Sequence, residues 1–363
     1  MIKSVFHTGA ALDYSFQDSL LIRALNRQPV DRTPIWLMRQ AGRYLPEYRA
    51  VRQQVKDFWE LCQTPELACE VTLQPLRRYD LDASIVFSDI LTIPKALGLD
   101  LVFEEKKGPV FSRIIDSPES IRNLQQEDVL ERLDYVFKTV ALCRQELPTH
   151  VPLFGFSGSP WTLACYMIEG QSSREFDKVF KMLYQAPQSM HALLKILSDV
   201  VSLYLIEQAK SGAQALMLFD TWGGVMPADA YQHFNLNYLT MITQNVKKTC
   251  PDIPVVIFGK GTGFWLPEIA KIGCDAISVD WTVDLGCARK LVNDTVALQG
   301  NLHPKVLLQS HDVIRKEALK VLDSFGHAPG HVFNLGHGIT PDVHPDAVDV
   351  LIETVHGYHR MNA

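Results

Sequence analysis

The sequence predicts a single-domain α/β protein, a closed (β/α)8 TIM barrel. Eight short apolar runs, rich in β-branched residues, alternate with longer amphipathic stretches along the 363 residues. Each run is mostly apolar and not strictly alternating, as a strand covered on both faces requires. Polar residues and glycines stand at the carboxyl ends of the runs, on the face where barrels of this kind build their active sites. A chain this long, 47% hydrophobic and 21% charged, can bury one large core. No low-complexity, linker-like or charge-block segment divides it.

In chain order, residues 1–16 read as a short tail and 18–27 as a helix stopped by Pro29, so the barrel domain spans 17–363. The apolar runs are 35–38, 83–87, 152–156, 213–219, 254–258, 275–279, 296–299 and 331–334. Helical periodicity occupies 65–78, 187–210, 228–248, 311–322 and 345–358 among the intervening stretches. After the second run, 101–115 sets Lys106, Lys107, Gly108 and Pro109 between apolar segments and reads as a hairpin insertion.

The run ends carry the chemistry. They present Arg39 with Arg43, Ser88-Asp89, Ser157-Gly158-Ser159, Asp220-Thr221, Gly259-Lys260-Gly261, Asp280, Gly300-Asn301 and Gly336-His337-Gly338. Turn and capping chemistry alone would favour many of these residues in βα loops. Arg39 and Arg43, on a short loop with Gly42 at its turn, suit a ligand bearing several carboxylates or phosphates, because each planar fork grips an oxyanion through two hydrogen bonds. The competing possibility is that both pair with Glu47 or other surface acids. Asp89 stands at the rim of a dry interior, where a carboxylate needs donors, and it would also serve as a helix N-cap. His337, between glycines, fits either a ligand contact or a buried hydrogen-bonded histidine.

Other signals are weaker. Ser157-Gly158-Ser159-Pro160 reads better as a helix cap than as an anion site, and Tyr166 follows it by about a turn and a half, within reach of the mouth. Gly259-Lys260-Gly261-Thr262-Gly263 invites a dinucleotide reading, with Asp280 downstream, but Phe264 replaces the third glycine. Lys260 as a Schiff-base lysine has no supporting neighbour. Eight of the 12 histidines follow residue 300, yet no His-x-His, His-Glu-x-x-His or His-x-Cys spacing occurs, so no metal site is expected. The net charge of −6 argues against general nucleic-acid binding. Seven cysteines without Cys-x-x-Cys suit a reducing compartment. With no apolar run of membrane-spanning length and no secretory leader, a cytoplasmic protein away from membranes is expected.

Five segments go further: Met38–Tyr48, Leu73–Arg78, Ile85–Ile90, Gly155–Thr162 and Asn334–Gly338 closely resemble the uroporphyrinogen decarboxylase family, and the resemblance runs from about Arg27 to the C-terminus. It implies a (β/α)8 barrel, usually a homodimer, working without metal or organic cofactor in heme and tetrapyrrole biosynthesis. The implied reaction converts the four acetates of uroporphyrinogen III to methyls, giving coproporphyrinogen III. It further implies a substrate-binding loop of Arg39, Gln40, Ala41, Gly42 and Arg43, a central Asp89, and contacts from Tyr166, Thr221 and His337. Asp89 and Arg39 are the implied catalytic pair. Many members carry serine where Thr221 stands, so the hydroxyl is kept. Three alternatives remain at this stage: a zinc-dependent corrinoid methyltransferase of the same fold, a non-catalytic tetrapyrrole-binding protein, and a nicotinamide oxidoreductase using Gly259–Gly263.

Overall fold

A computed structural model of the chain describes residues 14–104 and 108–361. The apolar, β-branched runs form strands because their side chains are covered on both faces. In chain order these are β1 (Ser84–Ile85), the hairpin strands β2 (Leu101–Glu104) and β3 (Gly108–Phe111), and β4 (Leu153–Gly158). They continue as β5 (Ala215–Asp220), β6 (Val255–Gly259), β7 (Ala276–Val279), β8 (Ala297–Leu302) and β9 (His331–Leu335). β1 and β4 to β9 lie side by side in sequence order, every pair parallel, with helices between them. Every residue of β4, β6, β7, β8 and β9 is buried. The result is a curled α/β barrel in one domain.

The eighth strand expected from the sequence is not a ladder strand. Among the described residues the barrel sheet has seven, and the run 35–38 fills the gap between β9 and β1 through an isolated parallel bridge of Ile35 with Phe333. The Phe333 amide donates to the Pro34 carbonyl at 2.8 Å, and the Asp82 amide donates to the Ile35 carbonyl at 2.9 Å. The Trp36 amide still donates to the Phe333 carbonyl at 3.4 Å, and beyond it side chains take the place of a neighbouring strand. The Leu37 amide donates to Gln40 Oε1 at 3.1 Å and the Met38 amide to Asn334 Oδ1 at 2.9 Å. Buried backbone donors must be satisfied, and here primary-amide side chains do so. β1 is short: Ser84 and Val86 donate to the Pro152 and Phe154 carbonyls, and the next amide, that of Phe87, donates to the Thr72 hydroxyl at 2.9 Å.

The predicted hairpin is present as β2 antiparallel to β3, in the register Leu101 to Phe111. Residues 105–107, at its turn, lie outside the described residues, as does most of the expected tail. From Tyr14 to Asp18 the chain makes a helical turn, and Phe16 packs with the Arg144 guanidinium 4.4 Å above its ring.

The helices start and stop close to the expected positions, for example Pro65–Arg78, Pro187–Lys210, His311–Phe325 and Pro345–Met361. One expectation needs correcting. By length and composition Pro187–Lys210 is apolar enough to cross a membrane, contrary to the sequence reading. Met190, Leu193, Leu194, Leu197, Val201 and Leu205 are instead buried, and the helix packs against Asn237–Thr249 and β4. Its hydrophobicity is that of a core helix.

Candidate active site

The carboxyl ends of the strands converge on one rim, and two aspartates there are occupied in holding it together. Asp220, the last residue of β5, is buried and accepts from Ser159 Oγ and Asn235 Nδ2, both at 2.6 Å. All its partners are neutral, and burial pushes its carboxyl up to about 6 despite the donors. Ser159 Oγ also accepts from the Thr162 amide at 3.1 Å, so Ser157–Pro160 is a helix cap, as favoured above. Asp280, after β7, accepts from the Gly261 amide at 2.6 Å and from the Thr282 amide and hydroxyl at 2.9 and 2.5 Å. The acid that a dinucleotide site would turn toward a ribose is thus consumed in tying down the Gly259–Gly263 loop.

Arg39 follows the seam directly, at φ +63°, a left-handed conformation unusual for a side chain of its size. It is exposed, and among the described residues no acid pairs with it or with exposed Arg43. Glu47, the suspected surface partner, is taken by Arg78 Nε and Nη2 at 2.8 and 3.1 Å. The loop is held from below: Tyr44 Oη donates to the Gln40 carbonyl at 2.9 Å and Arg49 Nη1 to the Arg43 carbonyl at 2.7 Å. Gln40 itself is buried, its side-chain N–H donating to the Ala83 carbonyl at 3.2 Å. Of the predicted loop, then, Arg39 and Arg43 offer charge, Ala41 and Gly42 are half-buried backbone, and the Gln40 side chain is turned to the seam.

Asp89 is the half-buried rim carboxylate its sequence position allowed, but not the helix N-cap, a position that Leu91 takes without a side-chain cap. Oδ1 accepts from the Leu91 amide at 2.8 Å, a turn that launches the helix Thr92–Ala96, while Oδ2 has no protein partner among the described residues. Burial raises its pKa, with the Leu91 amide and the Arg39 charge working against the rise. The Arg39 charge thus reaches Asp89, although the two form no ion pair. Tyr166 feels both charges: burial and then the Asp89 charge push its phenol up, and a hydrogen bond from Trp222 and the Arg39 charge pull it down. The Tyr166 and Trp222 rings lie 6.3 Å apart. Thr221, just past β5, is half-exposed with its hydroxyl free of protein partners among the described residues.

His337 feels the Arg39 charge as well. Its ring meets Phe258 edge-on at 5.9 Å and Trp281 at 6.4 Å. Burial, then the charges of Arg39 and Lys260, lower it to about 4, with Asp280 opposing. At neutral pH it is an uncharged imidazole, able to donate through one nitrogen and accept through the other.

The family model described as "Uroporphyrinogen decarboxylase (URO-D)" matches residues 16–358. The chain belongs to the uroporphyrinogen decarboxylase family. A protein named uroporphyrinogen decarboxylase from Legionella pneumophila (strain Corby) is 56% identical over 343 residues, covering 94% of this chain and 97% of that protein. One of the same name from Nitrosococcus oceani is 54% identical over 337 residues, covering 92% and 94%. Among solved structures, a methyltransferase from Methanosarcina mazei superposes with a TM-score of 0.79 at 19% identity, covering 94% of this chain and 98% of that one. At that identity the likeness shows the fold alone.

Four of the five segments that carried the resemblance to the uroporphyrinogen decarboxylase family sit on the rim just described: 38–48 at the seam, 85–90 after β1, 155–162 at the end of β4 and 334–338 at the end of β9. The fifth, 73–78, belongs to the helix Pro65–Arg78, whose Arg78 holds Glu47 and so fixes the helix that follows the arginine loop. The Arg39 charge acts on Asp89, Tyr166 and His337 alike, and the Asp89 charge on Tyr166. The structure adds residues the sequence reading left unassigned, chiefly Trp222 and Lys260, whose Nζ lies 5.5 Å from the Trp222 ring centre. Their signal was available, since Lys260 is a cation one residue past a strand end.

Proposed function

We propose that the protein decarboxylates the four acetate side chains of uroporphyrinogen III to methyls, giving coproporphyrinogen III, with no metal or organic cofactor. The observation that carries this reading is the open oxygen of Asp89, reached by the charge of an unpaired Arg39. The substrate bears acetate and propionate on each of four pyrroles, a polyanion that arginine forks match. Arg39 and Arg43 grip its rim, and Asp89 accepts the pyrrole N–H groups at the centre of the macrocycle.

Losing CO₂ leaves an electron pair that must be delocalised. Protonating a ring carbon beside the acetate-bearing position turns that pyrrole into an iminium-like cation, which receives the electrons as the C–C bond breaks and becomes neutral with an exocyclic methylene. A solvent-derived proton then converts the methylene to the methyl as the ring carbon gives up the proton it took, so that the net change is CO₂ replaced by H⁺. Asp89 stabilises the iminium-like cation. At ~4 Å and an effective dielectric near ~20 a unit charge contributes roughly 4 kcal/mol before desolvation, or about three powers of ten in rate. Arg39 positions the substrate acids and neutralises the departing carboxylate, while neutral His337 orients a propionate. Tyr166 and Thr221 supply hydroxyls at the wall. The enzyme works as a homodimer in the cytoplasm, away from membranes and nucleic acid.

The competing readings have less support. A zinc methyltransferase needs thiolate and imidazole donors at the mouth, whereas His337 feels the charges of Arg39 and Lys260, which repel a divalent ion. Anaerobic incubation with uroporphyrinogen III, following carboxylate loss, tests the proposal: wild type should reach coproporphyrinogen III, Asp89→Ala should lose turnover about a thousandfold or more, and Arg39→Ala should lose most of it. Binding without CO₂ release by the wild type would favour a tetrapyrrole-binding protein, and near-normal turnover by Asp89→Ala would dispose of the mechanism.

A further inference from the structure

Resting on that reading, we infer that Lys260 is a carboxylate-binding and specificity-determining residue: its ammonium, lying against Trp222, grips one acidic side arm of the macrocycle at the β5–β6 side of the mouth. The resemblance assigns no role to this position.

The backbone of Lys260 is anchored on both sides. Its amide donates to the Asp220 carbonyl at 3.3 Å, and its carbonyl accepts from the Gly224 amide at 3.1 Å. A Cβ on Gly224 would come within 2.5 Å of that carbonyl oxygen, so the loops after β5 and β6 are locked in contact. From this base the half-buried side chain carries Nζ to the Trp222 ring. The indole face attracts the cation without saturating its three tetrahedrally arranged N–H donors, so Nζ can still donate to a carboxylate. Among the described residues no acid pairs with Lys260, and the nearby Asp280 is filled by Gly261 and Thr282.

The charge is also aimed at the site. It acts on His337 together with that of Arg39, so the imidazole feels two cations, one from the seam and one from the loop after β6. Trp222 in turn borders Tyr166. An unpaired, partly desolvated ammonium beside a neutral imidazole is costly unless an anion enters. A ring with acidic arms at its whole circumference supplies one on this side as well as at Arg39 and Arg43.

The test compares wild type, Lys260→Met and Lys260→Arg in anaerobic steady-state kinetics, with uroporphyrinogen III and with the intermediate bearing one remaining acetate. For Lys260→Met, KM should rise at least about tenfold, the scale of one charge-assisted hydrogen bond, with kcat falling much less, and Lys260→Arg should recover most of the loss. An equal penalty on both substrates assigns the grip to a propionate, and a penalty confined to the fully carboxylated substrate assigns it to an acetate. NMR titration of His337 should show its pKa rising in Lys260→Met, which loss of packing alone would not produce. Unchanged KM in Lys260→Met, or an equal loss in Lys260→Arg, overturns the inference. An inactive wild type would instead sink the decarboxylase reading.

Discussion

A methyl group on Gly338 would come within 2.3 Å of Arg39 Cδ. The glycine after His337 is thus required by an arginine three hundred residues earlier, whose stem passes over it. Gly338→Ala should therefore behave as an Arg39 variant, with kcat/KM falling at least about tenfold and the unfolding midpoint barely moving; a large loss of stability with normal kinetics would refute this. His337 shows how charge acts at the same scale. Its pKa is depressed to about 4, so its contribution to stability is fully present above the unfolded value near ~6.5 and is lost as pH falls toward about 4. Part of this was legible in the sequence, because two arginines on one short loop, a histidine between glycines and an aspartate ending an apolar run are hard to assign together to turn chemistry alone. What was not legible was the division of labour within Asp89, where one oxygen builds a turn and the other stays open. Residue type cannot reveal how two oxygens are spent.

Secondary elements were read well wherever periodicity alone decides them, as in Pro65–Arg78 and Pro187–Lys210. The run 35–38 was read as a strand because β-branched and aromatic residues favour extended backbone, but propensity says nothing about which groups accept its amides. Here the acceptors are Gln40, which the resemblance placed in the substrate-binding loop, and Asn334, the last residue of an apolar run. Gln40→Leu removes the acceptor for the Leu37 amide and the donor to Ala83, so it should lower unfolding stability by about 1–3 kcal/mol in urea titration. Tight substrate binding lost without any stability change would return Gln40 to the substrate.

Across the whole molecule, the barrel is closed by groups that are far apart in the chain. Asp82 accepts from Arg32 Nη1 and Nη2, both at 2.7 Å, from the Ile35 amide at 2.8 Å and from His356 Nε2 at 3.3 Å. It joins the entry to the first position, the strand after it and the C-terminal helix. Burial alone would raise its pKa, but His356 and Arg32 hold it below the usual carboxylate value. The stability it confers is present above the unfolded value near ~3.9 and lost as pH falls through the lower folded value. Asp82→Asn should cost about 2–4 kcal/mol at pH 7 and flatten the acid limb of the stability curve, read by denaturant titration from pH 3 to 7. No local pattern marks such a triad, since its members are separated by tens to hundreds of residues.

Closing a ring with amide side chains at one joint, and with a continuous ladder everywhere else, puts the play of the whole mouth in a few replaceable atoms. The guanidinium of Arg39 is hinged on that joint. Natural variation can therefore tune how wide a guest the rim admits by exchanging partners at the joint, while the carboxylate beneath stays where it is.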